Sequence, residues 1–353
     1  MTLSRGAIGN LVNRYRAVLR KCRMMNVFGS LAVAGMLVAG NAGFAGAEEL
    51  SGDISPISLS GDTRNIIGVG DISLRSTEPA LRYLINVSGQ GQLDISMSNG
   101  SPMAVGNADG IYLKDYSDSD QYASAFHVAG SGSSGSFAGT GTFSMVGGGK
   151  LLGVCAFLSE SKGTLTLSGD ITGEAEAVMN GSNGYASFAA AAAGGNLVFG
   201  GDRTTLRAKA SRGNNANGAF VKYGGMIDFA SKSVLIESKN TDSSSVGINC
   251  ADGTVKTSAD TDLDIVVEGN KATTGIQLTA SSSDVQLAGN LDLTATQTGQ
   301  DSFASVLGIS NDSGKMVVSG PTSLRLVTNA PFDAKGITAS GKADMSFLGD
   351  VEI

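Results

Sequence analysis

The chain has one histidine, His127, and this narrows its possible chemistry at once. A serine hydrolase would need it as general base beside an activated serine. Asp312-Ser313-Gly314 has the spelling of a protease nucleophile turn, but it lies far along the chain from His127. His127 is therefore expected to be an ordinary strand residue. Asp115, Asp118 and Asp120 crowd one polar stretch, KDYSDSDQY. Grouped carboxylates can hold calcium through oxygen ligands. The spacing here fits no calcium loop and the glycine of the sharp turn is missing. A solvated acidic loop is expected, and these three are the only metal candidates. Gly130-Ser131-Gly132-Ser133-Ser134-Gly135 spells a dinucleotide fingerprint, which needs a strand before it and a helix after it. More Gly and Thr follow instead. Gly147-Gly148-Gly149-Lys150 lacks the Ser or Thr of a phosphate loop, since Leu151 comes next. No catalytic residue and no cofactor is predicted.

The elements that must position any site announce themselves by a repeat. An apolar-x-apolar signal begins at Leu165, Leu197, Ile227, Val255, Val285, Met316 and Met345, at intervals of 32, 30, 28, 30, 31 and 29 residues. A second marker keeps step, with Gly before a hydrophobic or small residue at Gly184-Tyr185, Gly218-Ala219, Gly247-Ile248, Gly275-Ile276, Gly308-Ile309 and Gly336-Ile337. A third apolar cluster falls between them, for example Val234 to Ile236 and Leu263 to Val267. One period near 30 carried by two markers means a solenoid, propeller or array.

Side-chain types select among these. The repeat holds short runs of Val, Ile, Leu, Thr and Phe between Gly, Asn, Asp and Ser clusters, with no sustained 3.6-residue period. The chain has no Trp for a WD propeller. Three short strands per repeat, each ended by a polar turn, describe one rung of a parallel β-helix, with rungs stacked about 4.8 Å apart. The expected fold is all-β, a right-handed parallel β-helix, the hand following the rule for parallel crossovers. Leu167, Phe199, Phe229, Leu287, Val318 and Phe347 should form one inward ladder, with Thr257 as its polar member. Residues 48–163 should be a cap and irregular rungs, and 164–353 regular rungs. The sequence GSGSSGSFAGTG, 130–141, reads as a turn or extruded loop, and Ala189–Ala193 as a tight corner of the coil.

The first 47 residues differ from the rest. Arg5, Arg14, Arg16, Arg20, Lys21 and Arg23 precede an apolar run from Val27 to Gly40, and Ala45-Gly46-Ala47 offers a small-x-small site before Glu48. This predicts a secretory signal peptide cut after Ala47. Without its six cations the chain keeps 19 basic against 32 acidic residues, a net of −13. That balance argues against nucleic-acid binding, which rests on phosphate neutralisation. Cys155 and Cys250 should lie about three rungs apart, beyond the reach of a disulfide, as buried free thiols.

The long basic leader and the Gly-, Ser-, Asn- and Asp-rich, Cys-poor, acidic and periodic body resemble the extended signal peptide and passenger of Gram-negative autotransporter adhesins. The resemblance implies Sec export, passage through an outer-membrane translocator barrel, and folding at the cell surface, with a host-cell or neighbouring-cell ligand. The chain stops at Gly349-Asp350-Val351-Glu352-Ile353, so the barrel is expected on a further segment or another polypeptide. Polysaccharide lyases and glycoside hydrolases also use β-helices, with paired carboxylates or basic residues and aromatic platforms. Aromatics are few, most Phe are expected to point inward, and no cluster of Asp, Glu and Arg is evident on one face. A non-catalytic binding stalk is the primary expectation and a secreted glycan-cleaving enzyme the alternative.

Overall fold

The computed structural model describes residues 47–77, 81–98, 100–107, 122–147, 153–178, 186–211, 214–299, 305–329 and 334–353. Asp115, Asp118, Asp120 and Ala45 lie outside them. Glu48–Ile353 form one compact unit. Every described element is a strand.

The strands follow rung by rung. The first rungs hold β1 (Glu48–Asp53) and β2 (Ile57–Ser60), then β3 (Thr63–Ser76) and β4 (Tyr83–Ser88). Next come β5 (Gln92–Met97), β6 (Pro102–Asn107) and β7 (Tyr122–Ala129), then β8 (Ser134–Gly147) and β9 (Gly153–Glu160). The middle rungs are β10 (Thr164–Ala177) with β11 (Ala186–Ala193), and β12 (Asn196–Ala210) with β13 (Asn215–Lys222). Three-stranded rungs follow: β14 (Gly225–Phe229), β15 (Ser233–Asn240) and β16 (Ser245–Cys250); β17 (Gly253–Thr257), β18 (Asp262–Gly269) and β19 (Thr273–Leu278). Then come β20 (Ser283–Leu287), β21 (Asn290–Gln297) and β22 (Val306–Asn311), and β23 (Lys315–Val318), β24 (Thr322–Thr328) and β25 (Ala334–Ala339). The last strands are β26 (Asp344–Phe347) and β27 (Val351–Glu352).

The rungs build a 17-stranded sheet, sheet A, and a 10-stranded sheet, sheet B, made of β2, β4, β7, β9, β11, β13, β16, β19, β22 and β25. Pairing is parallel, and it links residues one repeat apart. Leu165 pairs with Leu197, Leu197 with Ile227, Ile227 with Val255, Val255 with Val285, Val285 with Met316 and Met316 with Met345. The first marker of the sequence is thus one continuous column of the solenoid. The predicted inward ladder follows beside it: Leu167 pairs with Phe199, Phe199 with Phe229, Phe229 with Thr257, Leu287 with Val318 and Val318 with Phe347. Phe199 and Phe229 stack with centroids 5.4 Å apart. Upward the rings continue through Phe157, Phe143 and Phe137 at 5.6, 5.0 and 5.3 Å. Each fully buried ring removes enough apolar surface to contribute about 1.5–3 kcal/mol. Thr257 keeps its hydroxyl satisfied by accepting the Ala288 N–H at 2.9 Å.

Several expectations need correction. In four rungs the first two strands run together as one bent strand, in β3, β8, β10 and β12. In β8 and β10 the bend falls at Gly139 and Gly169, paired glycines with φ of 137° and 110°, which L side chains rarely adopt. The segment 130–141 is not an extruded loop: past a short turn it is β8, bonded on both sides. Its small residues serve packing, since a Cβ on Gly135 would lie 2.9 Å from both Phe126 and Val128. Ala189–Ala193 is strand, not corner, and buried throughout.

The Gly marker holds from Gly218 onward, where Ala219, Ile248, Ile276, Ile309 and Ile337 pair in sequence. Above it, Gly184 lies outside the described residues, and Ala219 pairs with Ala190, which pairs with Phe157 and then Phe126. Ala189, Ala156 and Ala125 therefore stand where later rungs carry glycine. At this point two successive residues, such as Ala156 and Phe157, both face the core. The column demands small side chains: a Cβ on Gly247 would meet the Gly275 carbonyl at 2.6 Å.

Candidate binding surface

The outward face of sheet B departs from the polar surface expected of a solenoid. In the middle rungs the strands are buried on both faces, from Tyr122 to Val128, Gly153 to Ser159 and Ser187 to Ala193. A second apolar cluster, separate from the core, joins Tyr122, Cys155, Leu158, Phe188 and Ala191, with Tyr83, Ala186 and Phe220 packed against it. Register explains the convergence. One outward column runs Tyr83, Ser124, Cys155, Phe188, Asn217, and its neighbour runs Asn86, His127, Leu158, Ala191, Phe220.

Polar groups are threaded through this cluster. The His127 ring stacks on Tyr83, with centroids 4.0 Å apart. Its Nδ1 lies 2.8 Å from Asn86 Oδ1 and its Nε2 3.0 Å from Glu160 Oε2. His127 lies within strand β7, and its ring is the hub of a network spanning three rungs. Asp312-Ser313-Gly314 takes no part in it. That turn begins where β22 ends, six strands along sheet B from β7, or roughly 29 Å at the rung spacing. The Asn311 side chain brackets it by accepting the Gly314 N–H at 2.7 Å.

Cations border the rings. The Arg82 guanidinium lies 4.8 Å from the Tyr83 centroid and donates to the Tyr122 carbonyl at 3.0 Å. Lys222 Nζ sits over Tyr122, Phe220 and Tyr223 at 5.0, 5.7 and 4.5 Å, and donates to the Tyr122 hydroxyl at 2.6 Å. Burial pushes the Tyr122 phenol well above its ordinary pKa, so the hydroxyl stays protonated. Burial likewise raises the Cys155 thiol, with Glu160 adding to the effect. Cys155 and Cys250 are free and buried as expected, Cys155 in this outer cluster and Cys250 in the core.

The outward face of sheet A is electrostatic rather than aromatic. Arg207 bridges Glu174, at 3.2 Å, and Glu237. Lys239 pairs with Glu268 at 2.9 Å, and Lys256 with Asp228 at 2.9 Å. Carboxylates and Arg do therefore gather on one face, contrary to expectation, because residues one repeat apart become lateral neighbours. Most of the described Phe point inward as expected, and Phe188 and Phe220 are the outward exceptions among them. The signal for this was present in the sequence. Runs 122–128, 153–158 and 186–193 have no polar phase, which is the pattern of a strand buried on both faces. Among the described residues no three His, Cys, Asp or Glu side chains converge as a metal site.

No family model, no curated protein and no solved structure matches this chain.

Proposed function

We propose that the chain is the passenger of an autotransporter-like adhesin: a non-catalytic β-helical stalk, exported and displayed on the surface of a Gram-negative cell. The fold itself is a β-solenoid. The observation that carries the functional reading is that, among the described residues, the outward-facing aromatic side chains Tyr83, Tyr122, Phe188, Phe220 and Tyr223, bordered by Arg82 and Lys222, lie in one stretch of one face. Farther along, one of these columns carries Asn249, Gln277, Ser310 and Thr338 and the other Val246, Thr274, Leu307 and Lys335, none of them aromatic. A stiff rod with one distinctive patch suits recognition better than a uniform spacer. Two carboxylates of the sheet A surface, Glu174 and Glu237, are both tied to Arg207 rather than left free, which is in keeping with the non-catalytic reading.

In this reading residues 1–47 are the signal read by the Sec machinery, and an outer-membrane barrel carries the body across to meet a ligand on another cell. Fusing the chain to such a barrel in a non-adherent host tests it. Cells displaying the chain should bind host or sibling cells more strongly than cells displaying the barrel alone, and the exported protein should begin at Glu48. Equal adhesion in the two strains would sink the adhesin reading.

A further inference from the structure

We propose that the corner formed by Phe220, Lys222 and Tyr223, flanked by Asn217 and Asn249, is a subsite for a carboxylate-bearing sugar. The inference rests on the binding-surface reading above and names its ligand class.

Three independent observations converge on that corner. The first is the lysine. Lys232, Lys239 and Lys256 each pair with an acid on sheet A. Lys222, in a chain of net charge −7, has no carboxylate partner among the described residues and instead lies over three rings. An ammonium so placed is partly desolvated and held in position, which favours a carboxylate brought by a ligand.

The second is Tyr223. It is 72 % exposed, and its φ of +56° lies in the left-handed region, which disfavours a bulky side chain. One rung before, the same position is Gly194, with φ of 74°. A large aromatic kept where glycine would be strain-free points to use of its ring. Phe220 is stacked on Phe188 with centroids 4.8 Å apart, so Tyr223 supplies the exposed apolar face of the kind on which a pyranose ring stacks.

The third is Asn249, the register partner of Phe220. Its amide donates to Asn217 Oδ1 at 3.2 Å, while its own Oδ1 is enclosed without a donor. Asn249 thus brings an amide acceptor without a protein donor to the edge of this corner. Stacking surface, fixed cation and amide acceptor together match an acidic sugar better than a neutral one.

Isothermal titration of the mature chain, residues 48–353, tests this with four probes: trigalacturonate, 3′-sialyllactose, and the neutral maltotriose and lactose. At least one acidic probe should bind about tenfold more tightly than its neutral counterpart. Which one binds separates uronate from sialate as the source of the carboxylate. Lys222→Gln should abolish that preference. Tyr223→Gly should weaken the acidic probe about tenfold without lowering the thermal midpoint, which separates lost contact from lost fold. Equal affinity for acidic and neutral probes, no binding of either acid, or full affinity in Lys222→Gln would each overturn the proposal. Adhesion by displayed cells without acidic-sugar binding would remove this subsite alone. Acidic-sugar binding without adhesion would remove the adhesin reading alone.

Discussion

The outward face of sheet B changes character halfway along the solenoid. From β7 to β13 it carries Tyr122, His127, Cys155, Leu158, Phe188 and Phe220, largely shut away from solvent. From β16 to β25 the same columns carry Val246, Thr274, Leu307 and Lys335, and Asn249, Gln277, Ser310 and Thr338. The inward face is alike in both halves, a ladder of aliphatic and aromatic residues. The difference teaches that stacking places no demand on the outer face. Inter-rung hydrogen bonds and the inner ladder hold the coil, so the outer residues of a few rungs were free to take on another role.

The most forceful way to break this comparison is to truncate one outer column in both halves. Phe188→Ala should cost about 3–5 kcal/mol, the scale for a ring lost from an enclosed cluster. Leu307→Ala, in the same column but partly exposed, should cost about 1 kcal/mol. Urea midpoints at unchanged slope would measure both. Equal costs would mean that the two halves do not differ in kind.

The thiols probe the same contrast without removing a side chain. Burial pushes the Cys250 thiol up to about 11 and also holds that of Cys155 well above its ordinary range. At about pH 8 an ordinary thiol is roughly one-quarter thiolate, and one with a pKa near 11 roughly one-thousandth. Alkylation by iodoacetamide should therefore be slowed at least about a hundredfold at both sites, and both should label once the protein is unfolded. Rapid native labelling of Cys155 alone would show the outer cluster to be open.

Much of the fold could be read from the chain because a solenoid converts sequence period directly into spatial adjacency. Leu197 and Ile227 sit 30 residues apart and become partners for that reason alone. The outer cluster was less legible. The paired inward residues, such as Ala125-Phe126 and Ala156-Phe157, shift the alternation midway through each strand. Strict period-two counting then assigns His127 and Phe220 to the wrong face. Where glycine marks that position the shift is visible, but alanine at 125, 156 and 189 conceals it. Segment 130–141 misled for a different reason. Its Gly and Ser content is that of a loop, but bulky Phe126 and Val128 require such small partners opposite them.

A smaller effect sharpens the comparison within one column. Tyr223 and Gly194 occupy the same turn position one rung apart, both with positive φ. Tyr223→Gly should raise stability by about 0.5 kcal/mol, since relief of left-handed strain outweighs the lost contact with Lys222. Gly194→Ala should lower it by about 1 kcal/mol. Thermal midpoints of the two variants should move in opposite directions. If both fall, Tyr223 is held by packing rather than kept against strain.

The smallest effect concerns the regular half, where the outer surface holds repulsion instead of a cluster. Asp264 pairs in register with Asp292, and parallel stacking sets their carboxylates side by side. Desolvation first, and then the charges of Asp292 and Asp262, raise its pKa above the usual carboxylate value. An acid whose folded-state pKa is raised binds its proton more tightly in the folded chain. Its ionisation therefore costs stability, fully so above the folded pKa, and the cost vanishes as pH falls below the unfolded value. Asp264→Asn should accordingly stabilise the protein at neutral pH, by about 0.3 kcal/mol given the exposure of the site and its screening. The gain should fade towards about pH 3, where the native acid is protonated in both states. Thermal midpoints of the variant and parent at the two pH values measure the difference directly. A gain that persisted at low pH would trace to the amide's hydrogen bonds and not to charge, and the regular half would then carry no electrostatic load of this kind.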